Sequence, residues 1–259
     1  MITALLVCVL AVCAIVTVLR IPAALRGENR SLLGIFLLIT VAMVLSIQAS
    51  YNAIDHLLGS QNYANLLLRF IIYGTVLLAG YKIAKGFENE RSLRLVRGPI
   101  GMAALALVCL ATAVPFLLAD TAGTSVGLAT LPDQSAHNRE LIALYTLAGR
   151  LYPAYVAACL LPATIHALRS RLPGLVRGGA ALLTLGSIAM VAMPFSDLVP
   201  RGLTFLQYYI SSAAVLGLVL GLALIWLGRL SARRSGGTGL KNSRELRMAG
   251  PVKTGKSDL

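Results

Sequence analysis

Charge is scarce in this sequence, and negative charge is scarcest: Asp and Glu together number 10 in 259 residues, and charged residues of all kinds make up 13%. A soluble domain is roughly 25% charged, so a water-soluble globular protein is excluded. Intrinsic disorder of the whole chain is excluded with it, because disordered chains are poor in apolar residues and 57% of this one is hydrophobic. Tryptophan occurs once, and all four cysteines (Cys8, Cys13, Cys109 and Cys159) fall inside apolar runs, so no disulfide framework is expected. Enzyme signatures are missing as well. There is no H-E-x-x-H and no paired-cysteine motif, and the three histidines, His56, His137 and His166, lie far apart. A Schiff-base photoreceptor needs a lysine inside a span, and the last apolar run has none. The chain is therefore read as no enzyme, with no cofactor and no metal site.

What the sequence has in abundance is long apolar runs. Mean hydropathy is +0.79, and seven segments are long enough, at about 1.5 Å per residue, to cross a hydrocarbon core of roughly 30 Å. They lie near Ile2–Leu19, Leu32–Ser50, Ala64–Ile83, Pro99–Leu118, Leu141–Ile165, Gly178–Phe195 and Leu203–Leu227. The first has no basic residue before its apolar run and is expected to stay as an anchor. Basic residues crowd alternate connections. Arg20, Arg26 and Arg30 follow span 1; Lys82, Lys85, Arg91, Arg94 and Arg97 follow span 3; Arg169, Arg171 and Arg177 follow span 5; Arg229, Arg233, Arg234, Lys241, Arg244, Arg247, Lys253 and Lys256 follow span 7. These are 19 of the 23 basic residues, against Arg139 and Arg201 on the other side.

By the positive-inside rule the crowded side is cytoplasmic. The expected fold is thus all-α: a polytopic membrane bundle of seven transmembrane helices, N-terminus outside and C-terminus cytoplasmic, in the plasma membrane. Residues 1–230 form the transmembrane domain and 231–259 a basic, disordered cytoplasmic tail. The net charge of +13 is a topology signal and not a nucleic-acid footprint. The partners it implies are anionic lipids at the cytoplasmic face and a cytoplasmic protein partner.

One motif in the tail misleads. Residues 250–257, GPVKTGKS, match the phosphate-loop pattern, but that loop works by strand-to-helix geometry, and only Asp258 and Leu259 follow. Nucleotide binding is not expected.

Two basic residues fall within spans. Arg150 sits about ten residues, or roughly 15 Å, below the outer end of span 5, where an arginine costs on the order of 2.5–3.5 kcal/mol to insert and so should face the bundle or a wet cavity. Arg69 sits about five residues below the outer edge of span 3, by the same 1.5 Å rise, within snorkelling reach of headgroups. Polar and aromatic residues collect in the same outer half, among them Tyr152, Tyr155, Tyr208, Asp55 and Asp197. The ordinary account of such tyrosines is an aromatic belt. The sharper expectation is an outward-facing polar cavity between spans 2, 3, 5 and 7 with Arg150 at its floor and Arg69, Asp55, Asp197, Tyr152, Tyr155 and Tyr208 as ligand contacts. In span 7, Ala213, Gly217 and Gly221 form a small-residue stripe that suits packing within the chain or a dimer through Gly217 and Gly221. Pro115, Pro153, Pro162 and Pro194 offer kinks within the spans.

The stretches LRIPAALRGENRSLLGIFLL (19–38) and YNAIDHLLGSQNYANLLLRFIIYG (51–74) resemble the N-terminal seven-span region of an actinobacterial family of multi-pass membrane proteins of unknown function, commonly labelled putative transporters. Together with Arg150 and the span prolines, the resemblance implies a small transporter of a polar or anionic solute. A seven-span sensory or regulatory module, coupling an external ligand to a cytoplasmic partner, is the alternative. The resemblance transfers no site residues.

Overall fold

The computed structural model describes the backbone of residues 2–27, 30–121, 128, 135–198 and 205–248, with side chains described over 7–27, 30–121, 128, 135–195, 208–228 and 230. The described chain is helical, with no strand among the described residues. Its helices are α1 (Ile2–Leu25), α2 (Arg30–Leu45), α3 (Gln48–Leu57), α4 (Tyr63–Gly86), α5 (Glu90–Arg97), α6 (Pro99–Leu118), α7 (Ala136–Arg169), α8 (Gly174–Ala192) and α9 (Phe205–Met248), with a 3-10 helix at Met193–Leu198 between the last two. Six helical segments are long and apolar enough to cross a membrane, and the count reaches seven if the bent pair α2 and α3 forms one span.

That bend corrects the expected second span, which does not run unbroken to Ser50. At Leu45 the chain turns through 91° into α3. Ser46 donates its hydroxyl back to the Ala42 carbonyl (2.8 Å), and Ile47 adopts extended backbone at φ −90°, ψ 128°. The composition changes here too, because α3 (QASYNAIDHL) holds Gln48, Asn52 and Asp55. At about 24 Å, α2 alone is short for a hydrocarbon core.

The chain leaves α3 by a buried polar network that starts α4. Asp55 is fully buried, and its two carboxylate oxygens accept from the backbone N–H groups of Asn62 and Ala64, each at 3.2 Å. Both lie at the N-terminus of α4, whose first N–H groups have no carbonyl partner within the helix. Asn62 takes the left-handed backbone (φ 57°) that asparagine tolerates. Its side chain accepts from the Tyr51 hydroxyl (2.7 Å) and donates to the Thr121 carbonyl (2.7 Å). Apolar helices are thereby tied at one end by a few polar side chains, bonded to backbone and to one another.

The opposite end carries the basic residues. Arg26, Lys85, Arg91, Arg94, Arg97, Arg169, Arg171 and Arg177 are all exposed there. Between the two ends runs the core, in which Ile35 and Phe36 of α2, Tyr73 of α4, Tyr152 and Val156 of α7 and Val219 of α9 are essentially fully buried. The most extensive pairing is α8 with α9, and small residues explain it. A Cβ at Gly217 would stand 2.7 Å from the Leu182 carbonyl oxygen and 2.8 Å from the Gly186 Cα, and one at Gly221 would stand 2.9 Å from the Gly179 carbonyl oxygen. Gly217 and Gly221 therefore pack inside the chain, whereas Ala213 of the same stripe is exposed. The face that a dimer through Gly217 and Gly221 requires is already covered by α8.

Two further differences concern helix length. First, α1 continues across Pro22 to Leu25, so Arg20 is not in a connection but inside the bundle, 1% exposed, its guanidinium 4.6 Å from the centroid of the Trp226 ring on α9. Such a stacked guanidinium retains a favourable cation–π contact away from water. Second, α9 runs as helix past Leu227 to Met248, into the stretch expected to form the cytoplasmic tail. Extending an existing helix needs no new nucleus, so a membrane helix can propagate into a weakly helical segment. Residues 249–259, including the phosphate-loop-like stretch, lie outside the described residues.

Candidate functional site: a cavity with two arginines

A cavity of about 220 Å³ opens among α2, α4, α7, α8 and α9, combining the four helices of the expected pocket with α8. Two basic residues line it, Arg69 from α4 and Arg150 from α7, and no acidic residue is among its described lining. Arg150 stands near the middle of the 34-residue α7, roughly 21 Å from its start and roughly 29 Å from its end, and is half-buried.

Arg69 reaches the cavity because α7 carries no side chain where the guanidinium crosses it. A Cβ at Gly149 would stand 2.8 Å from Cζ, Nε and Nη1 of Arg69. The guanidinium is held over the Tyr145 ring, 5.4 Å from its centroid, and Tyr145 is itself fixed by donating its hydroxyl to Oδ1 of Asn65 (2.8 Å). Nε of Arg69 is buried without a hydrogen-bond partner among the described residues. The rest of the lining is mostly aliphatic, with Ile39, Met43, Ile72, Pro153, Met190 and Val215 prominent and the hydroxyls of Ser46, Thr75 and Ser211 interspersed. Ser46 and Thr75 have already donated their protons to the carbonyls of Ala42 (2.8 Å) and Ile71 (2.7 Å).

Below this cavity, toward the basic end, lies a second void of about 20 Å³, bounded by Ala79, Gly80, Val156, Leu160 and Gly186 among others. Val76, Met190, Ala214 and Leu218 line both spaces. The cavity thus rests on an apolar floor with room below for about one water molecule.

The other sequence-derived candidates are elsewhere. Asp55 caps α4. Tyr155 belongs to the opposite half of the bundle, its hydroxyl donating to the Leu95 carbonyl of α5 (2.8 Å). Tyr208 is exposed on α9 and does not line the cavity. Asp197 falls in the 3-10 helix after α8, and its side chain lies outside the described residues. Tyr152 is fully buried between Tyr73 and Tyr155, with ring centroids 5.7 and 6.4 Å away, and its hydroxyl finds no hydrogen-bond partner among the described residues. An unpaired buried hydroxyl opposes folding, so Tyr152→Phe is expected to leave stability in detergent unchanged or to raise it, by about 1 kcal/mol, read as an unchanged or higher thermal unfolding midpoint. A clear drop in the midpoint would show that the hydroxyl has a partner.

Sequence reasoning missed Gly149 and Thr75, since a glycine or threonine in a membrane helix carries no signal of what stands opposite. It also placed Arg20 outside the bundle, because depth was counted from the end of the apolar run. Among the described residues no three His, Cys, Asp or Glu side chains come together to hold a metal. Compared with protein families, curated proteins and solved structures, the chain matches none.

Proposed function

We propose that the protein is a small membrane transporter of a polar or anionic solute, and that the cavity lined by Arg69 and Arg150 is where the solute binds. The observation that carries this reading is two guanidiniums, from separate helices, lining one space whose described lining holds no carboxylate. Nε of Arg69 is buried without a hydrogen-bond partner among the described residues, and an anion in the cavity would accept a charge-assisted hydrogen bond from it. The concentration of exposed arginine and lysine at the other end supports placing that end in the cytoplasm, against anionic lipid. The cavity then opens outward from a plasma membrane, N-terminus outside.

Anion flux into proteoliposomes, followed for a panel of labelled solutes, tests the proposal. Arg150→Leu and Arg69→Leu are each expected to lower flux roughly 10- to 100-fold, the equivalent of losing a charge-assisted hydrogen bond of about 1.5–3 kcal/mol. Arg150→Lys should recover only part of it, because an ammonium keeps the charge but not the planar fork. Flux no higher than in empty vesicles for every solute would refute transport. The continuation of α9 to Met248 favours the second reading, a sensory module coupling to a cytoplasmic partner. Solute-dependent thermal stabilisation without flux would select it.

A further inference from the structure

The composition of the cavity restricts the solute more narrowly than charge alone. With the Ser46 and Thr75 protons committed to backbone carbonyls, the donor best placed to meet a ligand is Arg69, whose Nε is buried without a partner among the described residues, with the Ser211 hydroxyl on the same lining. A polyhydroxylated solute would leave most of its own groups facing Ile39, Met43, Ile72, Pro153, Met190 and Val215, unpaired and desolvated. A bare inorganic anion would face the same aliphatic wall without its water. Size narrows the choice again. An apolar cavity of about 150 Å³ accepts a benzene molecule, and this one measures about 220 Å³, which leaves space for one small head group beyond a single ring.

Along α4 the lining descends from Arg69 through Ile72 to Val76, and along α9 from Ser211 through Val215 to Leu218. Charge therefore lies at one level and aliphatic side chains below it, ending on the floor shared with the smaller void. The methionines Met43, Met190 and Met193 add surfaces that reshape around a flat ring.

Resting on the anion-binding reading of this cavity, we propose that its solute is a small amphiphilic carboxylate: one oxyanion head held at Arg69, on the lining it shares with Arg150, with one apolar body about the size of a benzene ring seated on the floor formed by Val76, Met190 and Leu218. Head and body contribute separately. Each methylene of the body adds roughly fourfold in affinity until the volume is filled, and a second fused ring overfills it.

The test is calorimetric titration of the full-length protein in lipid nanodiscs with phenylacetate, its neutral counterpart 2-phenylethanol, acetate, chloride and 1-naphthylacetate. Phenylacetate is expected to bind at least tenfold more tightly than each of the other four. Partition into the bilayer would give the opposite order for phenylacetate and the alcohol, so the comparison separates site from lipid. Arg69→Gln should weaken phenylacetate at least tenfold. Met43→Trp, which fills the aliphatic part, should abolish phenylacetate binding while the thermal unfolding curve reports that the variant is folded. Equal affinity for phenylacetate, acetate and chloride overturns the inference, and if those anions are also transported the transport reading survives it. Tighter binding of 2-phenylethanol, or binding of none of the five, overturns it too. Phenylacetate binding with no phenylacetate flux upholds it and removes transport.

Discussion

Gly217→Leu should be among the most destabilising single substitutions in this protein, with a loss of about 3 kcal/mol or more. Backbone, not a yielding side chain, occupies the space a side chain would need: the Leu182 carbonyl oxygen and the Gly186 Cα stand 2.7 and 2.8 Å from the position of the new Cβ. Accommodation therefore requires α9 to move off α8, and that separation breaks the most extensive helix pairing in the fold. In a bilayer, such close approach replaces the hydrophobic drive, because lipid tails are as apolar as leucine and helices associate chiefly by packing. The unfolding midpoint in detergent should fall steeply while the oligomeric state of the remaining folded protein stays as in the native chain. A variant that kept its midpoint but lost a dimer would instead place Gly217 at a surface between two chains. Gly217→Ala should show the same sign at smaller size.

Asp55→Ala is expected to cost about 3 kcal/mol, and for a different reason. The carboxylate accepts from two backbone N–H groups at the start of α4, and each buried donor left unsatisfied costs about 1–3 kcal/mol. Alanine also leaves Tyr51, Asn62 and Thr121 without the anchor of their network. Asp55→Asn retains one carbonyl oxygen and should cost roughly half as much, still within the range of a lost cap. The informative measurement pairs unfolding with solute binding at a temperature where both variants are folded. A capping residue changes the midpoint and leaves affinity within about twofold, under 0.5 kcal/mol. If affinity collapsed instead while the midpoint held, Asp55 would belong to the binding site, as its position in the sequence suggests.

Asp55 and Arg150 illustrate why the sequence is legible in one case and not the other. Both are charged residues in or beside apolar segments, and a count of helical rise places both in the same half of the bundle. Arg150 lies deep in a helix with no acidic residue at its own depth, and burial against the bundle or a cavity follows from insertion cost. Asp55 precedes a helix start by a few residues, and its partners are backbone groups, which every sequence possesses everywhere. No residue pattern distinguishes a carboxylate that turns back to cap the next helix from one that reaches down into a cavity. Tyr155 fails for a related reason: the aromatic belt describes an average over side chains, whereas its hydroxyl is engaged by Leu95 of α5.

The sequence by itself determined that the chain is a bundle of long apolar helices, where most of them run, and which end is basic. Each of these is a local property, since backbone groups in hydrocarbon must be satisfied within their own helix and so demand an uninterrupted apolar run. It also singled out Arg69 and Arg150 through the rarity of charge within such runs. Only the tertiary structure decided that the second span breaks at Ser46 and Ile47, that Arg20 stacks on Trp226, that Gly217 faces α8, and that the two arginines line one cavity because Gly149 lets Arg69 pass. Those facts depend on which helix stands opposite, and the scarcity of charge that makes the spans easy to read leaves few sequence marks of how they pair.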